Sequence, residues 1–356
     1  MARERVDYFD MLKVSAMFFV CYLHFDLLND GLMNNFSIMI CTAGVPVFFM
    51  VNGALLLNAP FDMKKHMKRV GWVTLSYFLW RIITLVGLIF ILNKSFGDFN
   101  TVDLLQYAIG GTVEGISTGH FWFMNTLLAI YIIFPLLKIC FDHPKAKVIL
   151  TVFCMILFVL RYGVMLFNVF SQILNCYAGL PLFSFSSLGS YNIFGYNGTF
   201  VLYFILGAIL HKYFYIEQIK KRYFKMISVA AVIIGWILFF LEKAFETGAT
   251  GPQHGVIDDG YTRVSSFIMS IGFFCLFIGV KFRYKIIQKI VSAISQSTLC
   301  IYYLHWLMGF VMLHLGSALD PFKSIWLNIL KALVMVMVGT LVGVVLRLIP
   351  GVKKLV

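Results

Sequence analysis

The sequence has little charge and none of the short motifs by which many soluble enzymes are recognised. Only 13% of its 356 residues are charged and 60% are hydrophobic, whereas soluble proteins average about 25% and about 45–50%. The seven cysteines form no CxxC pair and no metal-ligand spacing, which argues against a disulfide framework and a metal site. GxSxG, HExxH, Walker and Rossmann motifs are absent. Together with a mean hydropathy of +0.88, these absences predict a membrane protein.

Ten apolar stretches, each bounded by charged or turn residues, make up most of the chain. Each is long enough for a helix that crosses a hydrocarbon core of about 30 Å, and the alternating pattern of a β-barrel does not occur. We therefore predict an all-α polytopic membrane protein with about ten transmembrane helices, forming one domain over residues 1–356. The apolar but glycine- and serine-rich segment 168–196 could hold a re-entrant or surface helix. The ten stretches lie at about 9–28, 36–57, 70–92, 121–140, 147–167, 197–214, 226–242, 264–280, 297–315 and 325–349.

The basic residues predict the orientation. If the N-terminus is cytoplasmic, roughly two thirds of the lysines and arginines fall in cytoplasmic segments, which is the positive-inside pattern. We therefore predict that both termini are cytoplasmic. This distribution also accounts for most of the net charge of +13 without nucleic acid as a partner. The predicted cytoplasmic segments are 1–8, 58–69, 138–147, 211–225, 281–296 and 350–356.

Two cationic side chains lie on the first predicted span. Lys13 and His24 are eleven residues apart, so they share one helix face with a separation of about 16 Å. An ionisable group in a bilayer costs about 2.5–3.5 kcal/mol on insertion scales, which makes each a candidate functional residue. Asp10 is three residues before Lys13 and can pair with it, and Arg5 lies in the cytoplasmic lead-in. The alternatives are a snorkelling lysine and a histidine that packs between helices.

A second set of cations accompanies the third predicted span. Arg81 is twelve residues beyond Arg69, or about 18 Å deeper, and it cannot be deprotonated. It must therefore face a cavity, a carboxylate or an anionic ligand. The basic run before this span is either a solvated cytoplasmic loop or a site for a cytoplasmic polyphosphate. Its cations are Lys64, Lys65, Lys68 and Arg69.

Three further residues are candidates for contact with a substrate. His305 lies near the middle of the ninth predicted span and is either structural or functional. Trp122, which follows His120 at the outer end of the fourth span, fits an interfacial anchor or a binding residue. Glu114 is one of several predicted outer carboxylates that could bind a hydroxylated substrate.

Six blocks of sequence, in order along the ten spans, resemble the acyltransferase family 3 membrane proteins nearly end to end. Two positions depart from the family pattern. Lys13 stands where the family usually has arginine, which keeps the charge but loses the bidentate fork, and Asn52 stands where a serine is usual. The blocks are Arg5–Lys13 followed by His24, Gly44–Leu57, Lys64–Arg69, Phe121–Asn125, Tyr203–Gly207 and Tyr302–His305.

The resemblance implies transfer of an acyl group, usually acetyl from acetyl-CoA as co-substrate and without a metal, to a hydroxyl of a sugar. The chain resembles the surface-polysaccharide O-acetyltransferase branch, a multi-pass protein of the bacterial cytoplasmic membrane. The implied partners are acyl-CoA, a carbohydrate acceptor and membrane lipid, with a homo-oligomer left open. The main alternative is a transporter or flippase of a lipid-linked saccharide or acylated metabolite, and a third is a non-catalytic envelope scaffold or sensor.

The implied reaction, together with the charge and depth of the candidate residues, leads us to expect a role for each of them. The expected general base is His24, with Arg81 stabilising the oxyanion. The acceptor is expected at Trp122, Glu114 and His305. The acyl-CoA is expected at Arg5, Asp10, Lys13, Lys65, Lys68 and Arg69.

Overall fold

The computed structural model describes residues 5–28, 32–95, 97, 99–113, 116, 119–191, 195, 198–217, 222–250 and 260–355. These residues are mainly helical, and the one β-type pairing among them is an isolated bridge between Val113 and Ile116. The helices of this part of the chain are α1 Asp7–Leu23, α2 Leu32–Cys41, α3 Gly44–Leu57, α4 Met63–Ile91, α5 Thr101–Ala108, α6 Trp122–Asp142, α7 Ala146–Phe158, α8 Val164–Ala178, α9 Gly198–Glu217, α10 Arg222–Thr250, α11 Val264–Phe277, α12 Lys285–Gln296, α13 Thr298–His314, α14 Gly316–Leu319 and α15 Ile325–Leu348.

The described residues include 7 helical segments that are long and apolar enough to cross a membrane. The apolar helices α11 and α13 are shorter, and α1 has charged residues among its 17 residues. Each of the ten predicted apolar stretches coincides with one of these ten segments, α2 and α3 together forming the second. The prediction of an all-α polytopic membrane protein is confirmed, while the side on which the termini lie stays a prediction.

The fifth predicted span is longer than the sequence suggested. A π-helical turn at Val159–Gly163 joins α7 to α8, so that one helical segment runs from Ala146 to Ala178. The helix ends where Gly179 adopts a left-handed conformation with φ of 62°. The segment 168–196 therefore begins as a continuation of the preceding span, because no helix-breaking residue occurs between Val164 and Ala178.

The chain divides into two compact units. Unit 1 comprises residues 1–16, 35–60 and 134–281, and unit 2 comprises residues 17–34, 61–133 and 282–356. The main helix pair of unit 2 is α13 with α15, and α4 also packs on α13. In unit 1 the main pairs are α10 with α11 and α3 with α9.

Two glycines allow α3 and α9 to approach closely within unit 1. A Cβ atom added to Gly53 would lie 1.7 Å from the carbonyl oxygen of Phe204, and one added to Gly207 would lie 2.0 Å from that of Met50. The backbones therefore touch at both crossings, as small residues permit in membrane helices. Gly53 and Gly207 belong to two of the six sequence blocks, which gives those blocks a structural meaning.

This packing predicts that Gly207→Ala destabilises the protein by about 1–3 kcal/mol, because the new methyl group meets backbone atoms that cannot move aside. The measurement is thermal unfolding of the purified protein in detergent. Gly71→Ala is the matched control: nothing lies within 4 Å of its added Cβ, and alanine favours a helix. Equal unfolding temperatures for the two variants would contradict the close approach of α3 and α9.

Candidate active site

The turn after α1 carries His24 and is held by α15 within unit 2. The helix ends at Leu23, and Phe25 has a positive φ of 53°, which is rare for a bulky residue. The Lys331 side chain of α15, which is 2% exposed, caps the C-terminal end of α1, where carbonyl groups lack intrahelical partners. Its Nζ donates to the carbonyl oxygens of Tyr22, His24 and Phe25 at 3.2, 2.7 and 3.1 Å.

A second side chain of α15 fixes the same turn. Asn328 donates from Nδ2 to the Tyr22 carbonyl at 3.1 Å and accepts at Oδ1 from the Leu27 backbone N–H, also at 3.1 Å. One turn earlier, the backbone N–H of Ser324 donates to the Leu27 carbonyl at 3.0 Å. The first two turns of α15 therefore set the position of His24.

His305 of α13 lies next to His24, with a ring-centroid separation of 5.3 Å. Its Nδ1 is hydrogen-bonded to the carbonyl oxygen of Tyr302. Because a carbonyl can only accept, Nδ1 carries the proton, and Nε2 of the neutral ring holds a lone pair. That Nε2 atom is buried and has no hydrogen-bond partner among the described residues. His305 can therefore accept a hydrogen bond at Nε2.

His120 is the third histidine of this region, which the sequence named but did not place in the site. It lies in the short 3₁₀ turn before α6 and is 2% exposed. Its ring stacks on Trp306 at 4.6 Å and 21°, and lies 5.8 Å from the His305 ring at 90°. Neither ring nitrogen has a partner in the described part of the chain. Buried polar atoms are nearly always hydrogen-bonded, so such exceptions mark sites where a ligand or water belongs.

We call His24, His120 and His305 the histidine cluster. Of these three residues, His24 keeps some accessible surface, whereas His120 and His305 are buried. Among the described residues no group of three or more histidine, cysteine or acidic side chains has a geometry that could hold a metal ion. The cluster is suited to proton transfer, because its imidazole rings lie close together and nitrogen atoms of His120 and His305 have no partner among the described residues.

Arg81 is part of the framework beside this cluster. Its side chain is 2% exposed, and Nε and Nη2 donate to the carbonyl oxygens of Tyr107 and Gly111 at 2.7 and 2.5 Å. Nη1 donates to the Tyr77 hydroxyl at 3.3 Å, and the guanidinium lies 5.0 Å from the centre of the Phe121 ring. All three nitrogens thus bind protein groups. This geometry argues against the oxyanion role predicted for Arg81. The side chain instead holds the end of α5 and the residues that follow it against α4.

The basic run begins α4, also in unit 2. Asp62 caps the helix: its carboxylate accepts the Lys65 backbone N–H at 3.1 Å, which lowers the pKa of this carboxyl. It also pairs with the Lys65 ammonium at 3.5 Å. Lys68 and Arg69 are exposed and have no ion-pair partner among the described residues. The three cations are three and four residues apart, so they form one basic helix face.

The C-terminal turn packs on that same face of α4. The Lys354 ammonium lies 4.8 Å from the centre of the Trp72 ring. The carbonyl oxygen of Leu355 accepts hydrogen bonds from Ser76 Oγ at 2.7 Å and Trp80 Nε1 at 3.3 Å. Lys354 therefore adds a positive charge to the basic face of α4. Sequence spacing could not reveal this contact, because Lys354 and Trp72 are far apart along the chain.

Comparison with known proteins identifies the family of the chain. The model of the family described as an acyltransferase domain, acyltransferase family 3, matches residues 6–348. The chain belongs to this family. It is a membrane acyltransferase with several membrane-spanning helices. No curated protein and no solved structure gives a match.

The remaining predicted donor residues of this acyltransferase lie in unit 1. Arg5 Nε forms an ion pair with Asp10 Oδ2 at 2.5 Å, a pairing that the sequence had not specified. Lys13 lies one turn beyond Asp10 in α1 and interacts with its charge. Asp10 thus links two cations at the start of α1, and the role of all three toward acyl-CoA stays a prediction.

The structure describes two of the three predicted acceptor residues of this acyltransferase. His305 belongs to the histidine cluster, whereas Glu114 lies outside the described residues. Trp122 begins α6 and lies near Phe123, with ring centroids 6.5 Å apart. Among the described residues, a tryptophan whose ring contacts all three histidines is Trp306, the residue after His305.

Proposed function

We propose that this acyltransferase transfers an acetyl group from cytoplasmic acetyl-CoA to a hydroxyl of a cell-surface or lipid-linked carbohydrate. In this proposal it lies in the bacterial cytoplasmic membrane and uses the acceptor at the extracytoplasmic side. The observation that supports it is the histidine cluster, a proton-transfer site in the unit that also carries the basic face of α4.

His24 acts as the general base in this proposal. Its neutral imidazole removes the proton of the acceptor hydroxyl while the oxygen attacks the thioester carbonyl. The carbon–sulfur bond then breaks, and the departing CoA thiolate takes the proton from the imidazolium. General-base catalysis of this kind is typically worth about 10²–10⁴-fold.

His305 orients His24 in the proposed mechanism. At a ring separation of 5.3 Å, a small shift or one water connects the lone pair of His305 Nε2 to an N–H of His24. Such a hydrogen bond holds the proton on one ring nitrogen of His24 and leaves the other nitrogen free to act as the base. Catalytic hydrogen bonds are often long without substrate and tighten in the complex.

The basic face of α4 binds the phosphates of the donor in this proposal. Lys68 and Arg69 are exposed and have no carboxylate partner in the described residues, and charge-assisted contacts to phosphate are strong. Lys65 and Lys354 extend the positive charge. Arg81 is sixteen residues beyond Lys65, or about 24 Å along the helix. One helix of unit 2 thus joins the proposed phosphate site to the framework of the histidine cluster.

The test of this function is to incubate the purified protein with radiolabelled acetyl-CoA and candidate glycans. An O-acetyltransferase transfers label to the glycan and releases free CoA. A transporter or a scaffold leaves the thioester intact. Absence of both products across a broad set of glycans, with the protein folded, would contradict the proposal.

The basic face yields a prediction for the donor. Lys68→Gln combined with Arg69→Gln should raise KM for acetyl-CoA about tenfold, with kcat changed much less, because ground-state contacts to phosphate are lost. Steady-state kinetics at two salt concentrations checks this. The control pair is Lys285→Gln with Lys289→Gln, exposed on α12, which removes the same charge. An equal effect of both pairs would show that only net charge matters.

Lys13 yields a separate prediction. Lys13→Ala should mainly weaken the use of acetyl-CoA, whereas Lys13→Arg should preserve it, because arginine supplies the same charge. The measurement is KM for acetyl-CoA in each variant. Equal loss in both would argue against a charge role for Lys13.

A further inference from the structure

Unit 1 contains an apolar groove that the proposed reaction does not use. It has a volume of about 480 Å³ and lies between α7 and α9. Met155 and Val159 line it and are largely exposed, with 63% and 57% of their surface accessible. The groove is therefore open along the outer side of α7. Its other apolar walls include Phe141, Leu150, Cys154, Phe158, Leu202 and Ile205.

Two half-buried lysines lie at one end of the groove. Lys147, on the first turn of α7, lines it directly. The Lys212 ammonium of α9 lies 5.0 Å from the centre of the Phe141 ring, which is part of the wall. Lys147 is the charge that acts most strongly on Lys212. Two neighbouring ammonium groups repel each other, so an anion between them would be stabilised by both.

The nearby carboxylate does not neutralise this pair. Asp142 forms an ion pair with Lys138 at 2.8 Å, and Lys138 also donates to the Leu57 carbonyl at 2.7 Å. Counting the described side chains of this cluster, three lysines and one aspartate leave a charge of +2. The end of the groove is therefore suited to an anionic group.

The length of the groove matches one leaflet of a bilayer. Lys147 and Val159 both line it and are twelve residues apart, or about 18 Å along the helix. Half of a hydrocarbon core of about 30 Å is about 15 Å. Lys147 and Lys212 also fall in the predicted cytoplasmic segments 138–147 and 211–225, and cytoplasmic leaflets are rich in anionic lipid.

We propose that this groove binds one anionic glycerophospholipid of the adjacent leaflet. Its phosphate lies between Lys147 and Lys212, and one acyl chain follows the apolar wall toward Val159. This site lies within unit 1 and is independent of the acyl-transfer chemistry proposed for unit 2.

Native mass spectrometry of the purified protein in detergent tests the proposal. The probes are phosphatidylglycerol, phosphatidylcholine with the same chains, and inorganic phosphate. We expect one phosphatidylglycerol to bind about tenfold more tightly than phosphatidylcholine. Lys147→Gln with Lys212→Gln should abolish this preference. Lys145→Gln with Lys285→Gln, two exposed lysines, should leave it unchanged.

A second variant tests the chain-binding part of the groove. Ile209 of α9 also lines the groove. Ile209→Trp fills the groove without changing charge, and it should weaken phosphatidylglycerol binding at least tenfold while thermal unfolding confirms the fold. Equal binding of the two lipids, or an unchanged preference in the double glutamine variant, would overturn the proposal. So would competition by millimolar inorganic phosphate, which indicates a free-anion site, or much tighter binding of a polyprenyl phosphate.

Discussion

His24→Ala is expected to reduce acetyl transfer about 10²–10⁴-fold, the range that a general base typically provides. The expectation rests on exposure and geometry together. His24 is the partly exposed residue of the histidine cluster, and the turn that carries it is fixed by Lys331 and Asn328. Removal of the imidazole deletes the base but keeps the turn. The measurement is the initial rate of labelled product from radiolabelled acetyl-CoA, with expression and thermal unfolding recorded in parallel.

The matched control for this variant is His314→Ala. His314 is the last residue of α13 and is exposed, so its loss should leave the rate near that of the unaltered protein. Normal product formation by His24→Ala would remove the general-base assignment. A large loss in both variants would indicate a general dependence on histidine content or on folding.

His305→Gln should have a smaller effect with a distinct signature. If His305 positions His24, the variant lowers kcat more than it changes KM, and it shifts the pH dependence of kcat because the orientation of the base is altered. A purely structural role would lower the unfolding temperature without moving the pH profile.

The fold class was accessible from sequence for a simple physical reason. A helix that crosses a bilayer needs about 20 consecutive apolar residues, and such runs are visible without any partner. A run of apolar residues does not, however, show where its helix ends. The predicted span ends at residue 167, but α8 continues to Ala178 because residues 168–178 contain no glycine or proline that would break a helix.

The roles of embedded cations were less accessible. Arg81 and Lys331 are both buried cations that donate to backbone carbonyls. Lys225 of α10 likewise donates to the carbonyl of Ile278 at the end of α11. The last carbonyls of a helix lack intrahelical partners, and lipid cannot hydrate them. The acceptors of Lys331 are about 300 residues away in sequence, so the sequence indicates that a partner is needed without identifying it.

The histidine cluster shows the same limit for function. The sequence supported His24 through its spacing and its family block, and it named His305. It could not bring His120 into the site, because the contact depends on how the 3₁₀ turn before α6 packs against Trp306. The available signal was the position of His120 one residue before the Phe121–Asn125 block.

Lys331→Met is the second variant with a large expected effect. Lys331 contacts three carbonyls of the turn that carries His24, and methionine fills a similar volume without a donor. A buried acceptor that loses its partner costs about 1–3 kcal/mol, and the Tyr22 carbonyl keeps its bond from Asn328, so the other two carbonyls predict a loss of about 2 kcal/mol or more in unfolding free energy. Because the turn also sets the position of His24, activity should fall even at temperatures where the protein stays folded.

Two comparisons separate this role from a general loss of charge. Lys331→Arg keeps a donor at the same depth and should recover part of both stability and kcat. Lys285→Met removes an exposed lysine of the same unit and should change neither. If Lys331→Met unfolded at the same temperature as the unaltered protein and kept its kcat, the turn would not depend on this ammonium group. The position of His24 would then have to be set by the other contacts of the turn, among them those of Asn328.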